Sequence, residues 1–169
     1  MISEDKIVTA YREHAREILI YLNRLTGSAE VSEDILHDAF ANLVEYSKQK
    51  QVDNIRAFLY RTAHNLALNH IRKNKRLTSI DSHDDRAIFC SDDSTARIEK
   101  EELECRIYDI LRDTDEDTRS FFVLRKENGL SVEEIADITG KSSRTIRRKL
   151  KNITEYMHTI LEKEGFFNN

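Results

Sequence analysis

Along most of the chain the apolar positions recur three and four residues apart, the period of a helix with one buried face. Ile7, Tyr11, His14, Ile18, Leu22 and Leu25 keep that period through a first predicted helix, which begins after Ser3 and stops at Gly27. A second helix begins between Ser28 and Ser32. Its pairs Ile35/Leu36, Ala39/Phe40 and Leu43/Val44 form one wide apolar stripe, with Asp34, His37, Asp38, Asn42 and Glu45 opposite. The stretch SKQKQVDN, residues 47–54, is polar and has no period, so it reads as a loop. Asn54 suits the N-cap of a third helix from Ile55 to about Lys75, with Leu59, Ala63, Leu66 and His70/Ile71 toward the core.

The period then lapses into a Ser- and Asp-rich segment and returns after Ser94, with Ile98, Leu103, Ile107 and Ile110/Leu111 on a fourth helix. A fifth runs from about Glu116 to Asn128 and stops at Gly129. Ser131 and Glu134 form an S-x-x-E capping box that opens a short helix, Val132 to Thr139, burying Ile135, Ala136 and Ile138. Gly140 makes a corner, Ser142 or Ser143 caps the next helix, and Ile146, Leu150, Ile153, Met157 and Ile160/Leu161 keep a long stripe in register. Short helix, glycine corner and second helix form a helix-turn-helix, with Ala136 where the two helices come close. The pattern predicts an all-α protein of two small helical domains, 1–76 and 95–169, joined by a flexible acidic linker, 77–94. No internal repeat interrupts it.

Composition agrees: there is no proline and there are four glycines, too few for the turns of a β-rich chain of 169 residues. No run approaches the roughly 20 apolar residues of a membrane span, so no membrane insertion is expected. The start, MISEDKIVTAYREH, has no apolar run and does not read as a secretory signal. Cys90 and Cys105 match no metal or redox spacing and read as two reduced thiols of a cytoplasmic protein. His64 and His70 are six apart, on different helix faces, and are not a metal pair. No phosphate-binding glycine loop and no nucleophile or metal arrangement is visible, so neither an enzyme nor a cofactor is expected.

The distribution of charge changes the picture more than its total. The net charge is -4, yet Lys141, Arg144, Arg147, Arg148, Lys149 and Lys151 crowd the second half of the helix-turn-helix with no acid among them. Arg56, Arg61, Arg72, Lys73, Lys75 and Arg76 make a second acid-free patch on the third helix. Between the patches, from Leu77 to Glu104, nine acids face three basic residues, a local charge of 3 − 9 = −6. Acid elsewhere does not cancel a patch beyond a Debye length of about 8 Å, so each patch can hold a polyanion. In a helix-turn-helix the first turns of the second helix enter the major groove. Here they present Ser142, Ser143, Arg144, Thr145, Arg147, Arg148 and Lys151. Arginine reaches guanine bidentately, while lysine and serine hold phosphate.

Taken together these segments resemble the bacterial RNA polymerase sigma factors of the extracytoplasmic-function (ECF) type. RAFLYRTAHNLALNHIRKNKR, residues 56–76, resembles their promoter-melting helix. EDILHDAFANLVEY, residues 33–46, is similar to the helix that grips the polymerase clamp. FFVLRKENGLSVEEIADITGKSSRTIRRKLKNITEYM, residues 121–157, looks like the domain that reads the −35 element. The resemblance implies a subunit that binds core RNA polymerase at its clamp helices and flap, recognises −35 duplex and melts −10 DNA. It implies polymerase contacts at Asp34, His37, Asp38, Phe40 and Leu43, with the core reading the stronger one for Phe40 and Leu43. It implies capture of the −10 strand by the loop holding Lys48, Gln49, Lys50, Gln51 and Asn54, and by Arg61, Asn65, Asn69 and Arg72. Tyr60 fits either a base stack or an ordinary packed aromatic. The acidic linker fits either a nucleic-acid mimic in the polymerase channel or a plain tether. An anti-sigma factor is an implied partner. Departures from the pattern are Phe58 for a frequent Trp, Asn69 for a frequent Asp, and Lys141 for an aliphatic residue after the turn glycine. The competing reading, a stand-alone helix-turn-helix regulator with an N-terminal sensor domain, leaves the 56–76 patch without a purpose. Promoter sequence, regulon, inducing signal and subgroup are not written in these residues.

Overall fold

The computed structural model describes residues 2–77 and 95–167, which hold seven α-helices. They are α1 (Glu4–Thr26), α2 (Ala29–Gln49), α3 (Ile55–Leu77), α4 (Thr95–Arg112), α5 (Glu116–Lys126), α6 (Val132–Thr139) and α7 (Ser143–Lys163). Among the described residues there is no strand. The expected linker lies outside them, except Leu77, which closes α3.

Local chemistry sets most of the boundaries. Gly27 ends α1 at φ 74° and its N–H donates to the Asn23 carbonyl. The side chains of Ser28, Asp115, Ser131 and Ser142 each accept a backbone N–H at the start of a helix. Asn54 does the same for α3, accepting from the Ala57 N–H at 2.9 Å.

One boundary departs from the sequence expectation. Ser47, Lys48 and Gln49 are the last turn of α2 rather than loop, leaving residues 50–54 as the connection. Ser47 is buried with its hydroxyl bonded to the Val44 carbonyl, and Lys48 pairs with Glu45 one turn back. Lysine and glutamine also propagate a helix well, and polarity by itself does not end one.

The helices α1, α2 and α3 pack on one another, and α1 and α3 also pack on α5 and α6. One apolar cluster therefore runs from Ile18, Leu22, Leu43 and Leu59 to Phe121, Leu124, Ile135 and Ile146. A second joins Ile110 and Leu111 of α4 to Ile153, Met157 and Leu161 of α7. Because α3 is covered on two sides, it buries Tyr60, His64, Ala67 and Leu68 as well as Leu59 and Ala63. Leu66, His70 and Ile71 are only half-buried. Ala136 is likewise half-buried. In α1 the small residues Ala10 and Ala15, with Tyr21, fill core positions, while Tyr11 is exposed and meets Phe40 with its ring tilted by 53°, at 5.1 Å between centroids.

Cys105 is disulfide-bonded, against the expectation of a reduced thiol; Cys90 lies outside the described residues. Lack of a metal or redox spacing bears on catalysis and not on whether two cysteines bond. No helix among the described residues is long and apolar enough to cross a membrane.

Candidate nucleic-acid interface

The helix-turn-helix is built as its residues dictate. Ser131 and Glu134 close a full capping box, and the backbone and side-chain hydrogen bonds at Ser131 hold the Glu134 carboxylate below its ordinary pKa. Gly140 turns the chain at φ 70°, its N–H bonded to the Ala136 carbonyl. The Ser142 oxygen caps α7 and shares a hydrogen bond with the Thr145 hydroxyl at 2.9 Å, so both are partly committed to the turn. Ile146 is fully buried beneath them and fixes the rotation of α7. That rotation leaves Arg144, Arg147, Arg148 and Lys151 exposed and Ser143 half-buried.

The cations of this face are not equivalent. Arg147 pairs with Glu133 at 2.7 Å, and Lys151 stands 3.8 Å from Glu155. Lys149 is turned toward α5, where it bonds Asp115 and Thr118. Burial would raise the Asp115 carboxyl, but the bonds from Lys149 and Thr118 outweigh it and hold the group at about 2. Lys141, the residue unusual after the turn glycine, pairs with Asp117 at 2.9 Å. Among the described residues no acid pairs with Arg144 or Arg148. They stand one turn apart on the same face.

On α3, Arg61, Asn65, Asn69 and Arg72 are all exposed and follow one stripe. Arg61 Nε donates to the Asp137 carbonyl of α6 at 3.1 Å. Asn69, Arg72, Lys73, Arg76 and Leu77 line a cleft of about 450 Å³ at the far end of the helix. Lys48, Gln49, Lys50, Gln51 and Asn54 are exposed, the first two on α2. Tyr60 is fully buried, packs against Tyr21 and accepts a hydrogen bond from Asn128, which is the packed-aromatic reading. On the outer face of α2, Asp34, His37 and Asp38 are exposed. Phe40 is 7% and Leu43 0% exposed, so both serve the core.

Three residues that sequence reasoning did not single out organise the space between these surfaces. Glu17 of α1 takes a bidentate bond from Arg56, at 2.9 and 3.0 Å. Asn128 Nδ2 donates to the Tyr60 hydroxyl and to the Glu17 carbonyl, both at 2.9 Å. Tyr21 shares a 2.7 Å hydrogen bond with His64, whose burial lowers its pKa to about 4. Only the Asn128–Gly129 helix end hinted at any of these from the sequence.

Two exposed cationic surfaces, one on a helix-turn-helix and one on α3, are the arrangement expected of a promoter-binding protein. The sequence model of Sigma-70 region 2 matches residues 10–77, and that of Sigma-70, region 4 matches residues 107–153. The chain belongs to the sigma-70 family and is of the ECF type. It is 26% identical to RNA polymerase sigma factor YlaC of Bacillus subtilis, over 97% of this chain and 99% of that one. It is 27% identical to the "Probable ECF RNA polymerase sigma factor SigI" of Mycobacterium tuberculosis, over 88% of this chain and 53% of that one. Its fold is that of the sigma factor RpoE from Bartonella quintana, solved in complex with the anti-sigma factor NepR. The TM-score is 0.64 and the identity 18%, with 94% of this chain and 96% of that chain covered.

Proposed function

We propose that this chain is a dissociable initiation subunit that carries core RNA polymerase to promoters with two separate DNA surfaces and performs no covalent chemistry. The observation that carries this reading is the presence, in one chain, of both matched regions with an exposed cationic face on each. In it the start of α7 reads −35 duplex, Arg144 and Arg148 supplying base contacts and Ser142, Ser143, Thr145, Arg147 and Lys151 positioning the helix on phosphates. The 50–54 connection with Lys48 and Gln49, and the stripe Arg61, Asn65, Asn69 and Arg72, take the displaced −10 strand. Unstacking costs a few kcal/mol per base, and a protein with no visible nucleotide-binding motif offsets it by binding the separated strand. Asp34, His37 and Asp38 supply the polymerase contact. The residues up to 76 and from 95 onward act as separate modules in the cytoplasm, and an anti-sigma factor, the partner of the Bartonella protein, holds the subunit idle.

The test is direct. The purified chain is mixed with core polymerase and run on size exclusion, then assayed for promoter opening. Co-elution and opening are expected, together with poor duplex binding by the chain alone. Tight duplex binding without affinity for polymerase would instead identify a stand-alone regulator.

A further inference from the structure

The six cations that follow Gly140 divide into two sets by what they touch. Arg144, Arg147, Arg148 and Lys151 are exposed, the Lys151 side chain to 74%. Lys141 and Lys149 turn the other way, onto the first turn of α5. Lys141 pairs with Asp117 at 2.9 Å. Lys149 bonds the Asp115 carboxylate, lies 3.4 Å from the Thr118 hydroxyl and is 24% exposed.

The acid end of this contact is fixed. Asp115 is the N-cap of α5 and accepts from the Thr118 N–H at 3.1 Å and the Thr118 hydroxyl at 2.6 Å. The corner before it is held by Arg119, whose guanidinium donates to the carbonyls of Leu111, Arg112 and Thr114. Lys141 sits at the start of α7 and Lys149 about two turns, or about 10 Å, further along its axis. Ile146, fully buried between them, sets the rotation of the helix, and the two lysines set its tilt. A tilt of about 10° over that lever moves a guanidinium by about 2 Å, beyond the range of a hydrogen bond. A flexible lysine on a phosphate follows such a shift, whereas a bidentate arginine–guanine contact is lost.

We propose that Lys141 and Lys149 are positioning residues for −35 recognition. Through them the first turn of α5 holds α7 at the angle that brings Arg144 and Arg148 to base edges, and neither lysine contacts phosphate. This rests on the −35 role proposed above for α7.

The test is competition binding of the holoenzyme, across a salt series, to a scrambled duplex and to the −35 duplex that the wild type selects from a randomised pool. Lys149→Met is expected to lower the preference for the selected duplex about five- to tenfold and to leave the salt slope unchanged. Lys141→Met should behave in the same way. Lys151→Met is the contrast, with the slope lower by about one and the preference kept. Lys149→Arg, which can still fork onto the Asp115 carboxylate, should retain the preference. Asp115→Asn keeps the helix cap and gives up the ion pair. It should lose preference as Lys149→Met does, with no loss of affinity for the scrambled duplex, and it decides the matter if Lys149→Met loses helicity by circular dichroism. A preference kept at the wild-type level in either folded variant overturns the proposal, and a lower slope in Lys149→Met would make that lysine an ordinary phosphate contact. A wild type that selects no duplex would overturn the −35 reading itself and this proposal with it, whereas selection by the wild type with preference kept in the variants overturns this proposal alone.

Discussion

Arg147 and Glu133 form a close pair, yet their side chains are 61% and 67% exposed. A pair so open to water is worth about 1 kcal/mol or less. A bidentate arginine–guanine contact discriminates by about 1–3 kcal/mol, so the groove can take Arg147 from Glu133. Arg144 and Arg148 need no such exchange. Replacing Arg148 by Ala should therefore cost the holoenzyme about 1–3 kcal/mol on its own −35 element and little on a scrambled one. Replacing Arg147 should cost less and more evenly. Competition binding on the two duplexes separates these outcomes. His64 makes a second prediction at this scale. It is 1% exposed, bonded to Tyr21, with Asp117, Lys141 and Arg72 as its nearest charges. Its folded pKa of about 4 lies below the ordinary 6.5, so the neutral ring suits the fold. The stability that follows is fully present above about pH 6.5 and is lost as pH falls toward 4, by about 2–3 kcal/mol. Urea unfolding at pH 7.5 and pH 5 should show the loss, and His64→Leu should flatten it.

Elements end where particular atoms end them, which is why most of their boundaries were legible. The S-x-x-E box, the Asn54 cap and the stops at Gly27 and Gly140 each name a hydrogen bond or a positive φ. The structure has all four. The misread turn at 47–49 carries no such atom, and its helicity depends on Ser47 being buried against neighbours that the local sequence does not reveal. Gly140 shows the same logic as a prediction. A Cβ built there would meet nothing within 4 Å, so the cost of a side chain is backbone strain alone. Gly140→Val should lower stability by about 1–2 kcal/mol and misdirect the start of α7. Gly140→Asn, which tolerates the left-handed region, should cost clearly less. Thermal melts and −35 binding of the two variants make the comparison, and equal losses would point to a packing role instead.

At the scale of the molecule the sequence was least informative, because the contacts that join α1 and α3 to the helices after residue 95 link residues far apart in the chain. The Asn128–Glu17 bond spans 111 positions and the Arg24–Glu127 bond 103. Periodicity reports which face of a helix is buried and not what buries it, so α3 looked like a bundle helix with one covered side. The second cover, from α5 and α6, has contacts at both ends of α3, where Arg56 approaches Glu134 and Lys75 pairs with Glu116. Between those contacts Asn65, Asn69 and Arg72 stay exposed on the uncovered face of α3. On the proposed function, different surfaces carry different steps of initiation. Asn65 is distant in sequence from Asp34, His37 and Asp38, and as a neutral amide it adds no charge to the field that attracts DNA. Asn65→Ala should therefore leave co-elution with polymerase intact and leave the salt dependence of promoter binding unchanged, while reducing strand opening at −10. Arg72→Ala should act otherwise, weakening binding on every promoter and lowering the salt slope by about one. Permanganate footprinting of the opened bases, run beside a salt titration of binding, reads the two effects separately. Normal opening with Asn65→Ala would remove that residue from the strand-holding stripe and shift the work to the 50–54 connection.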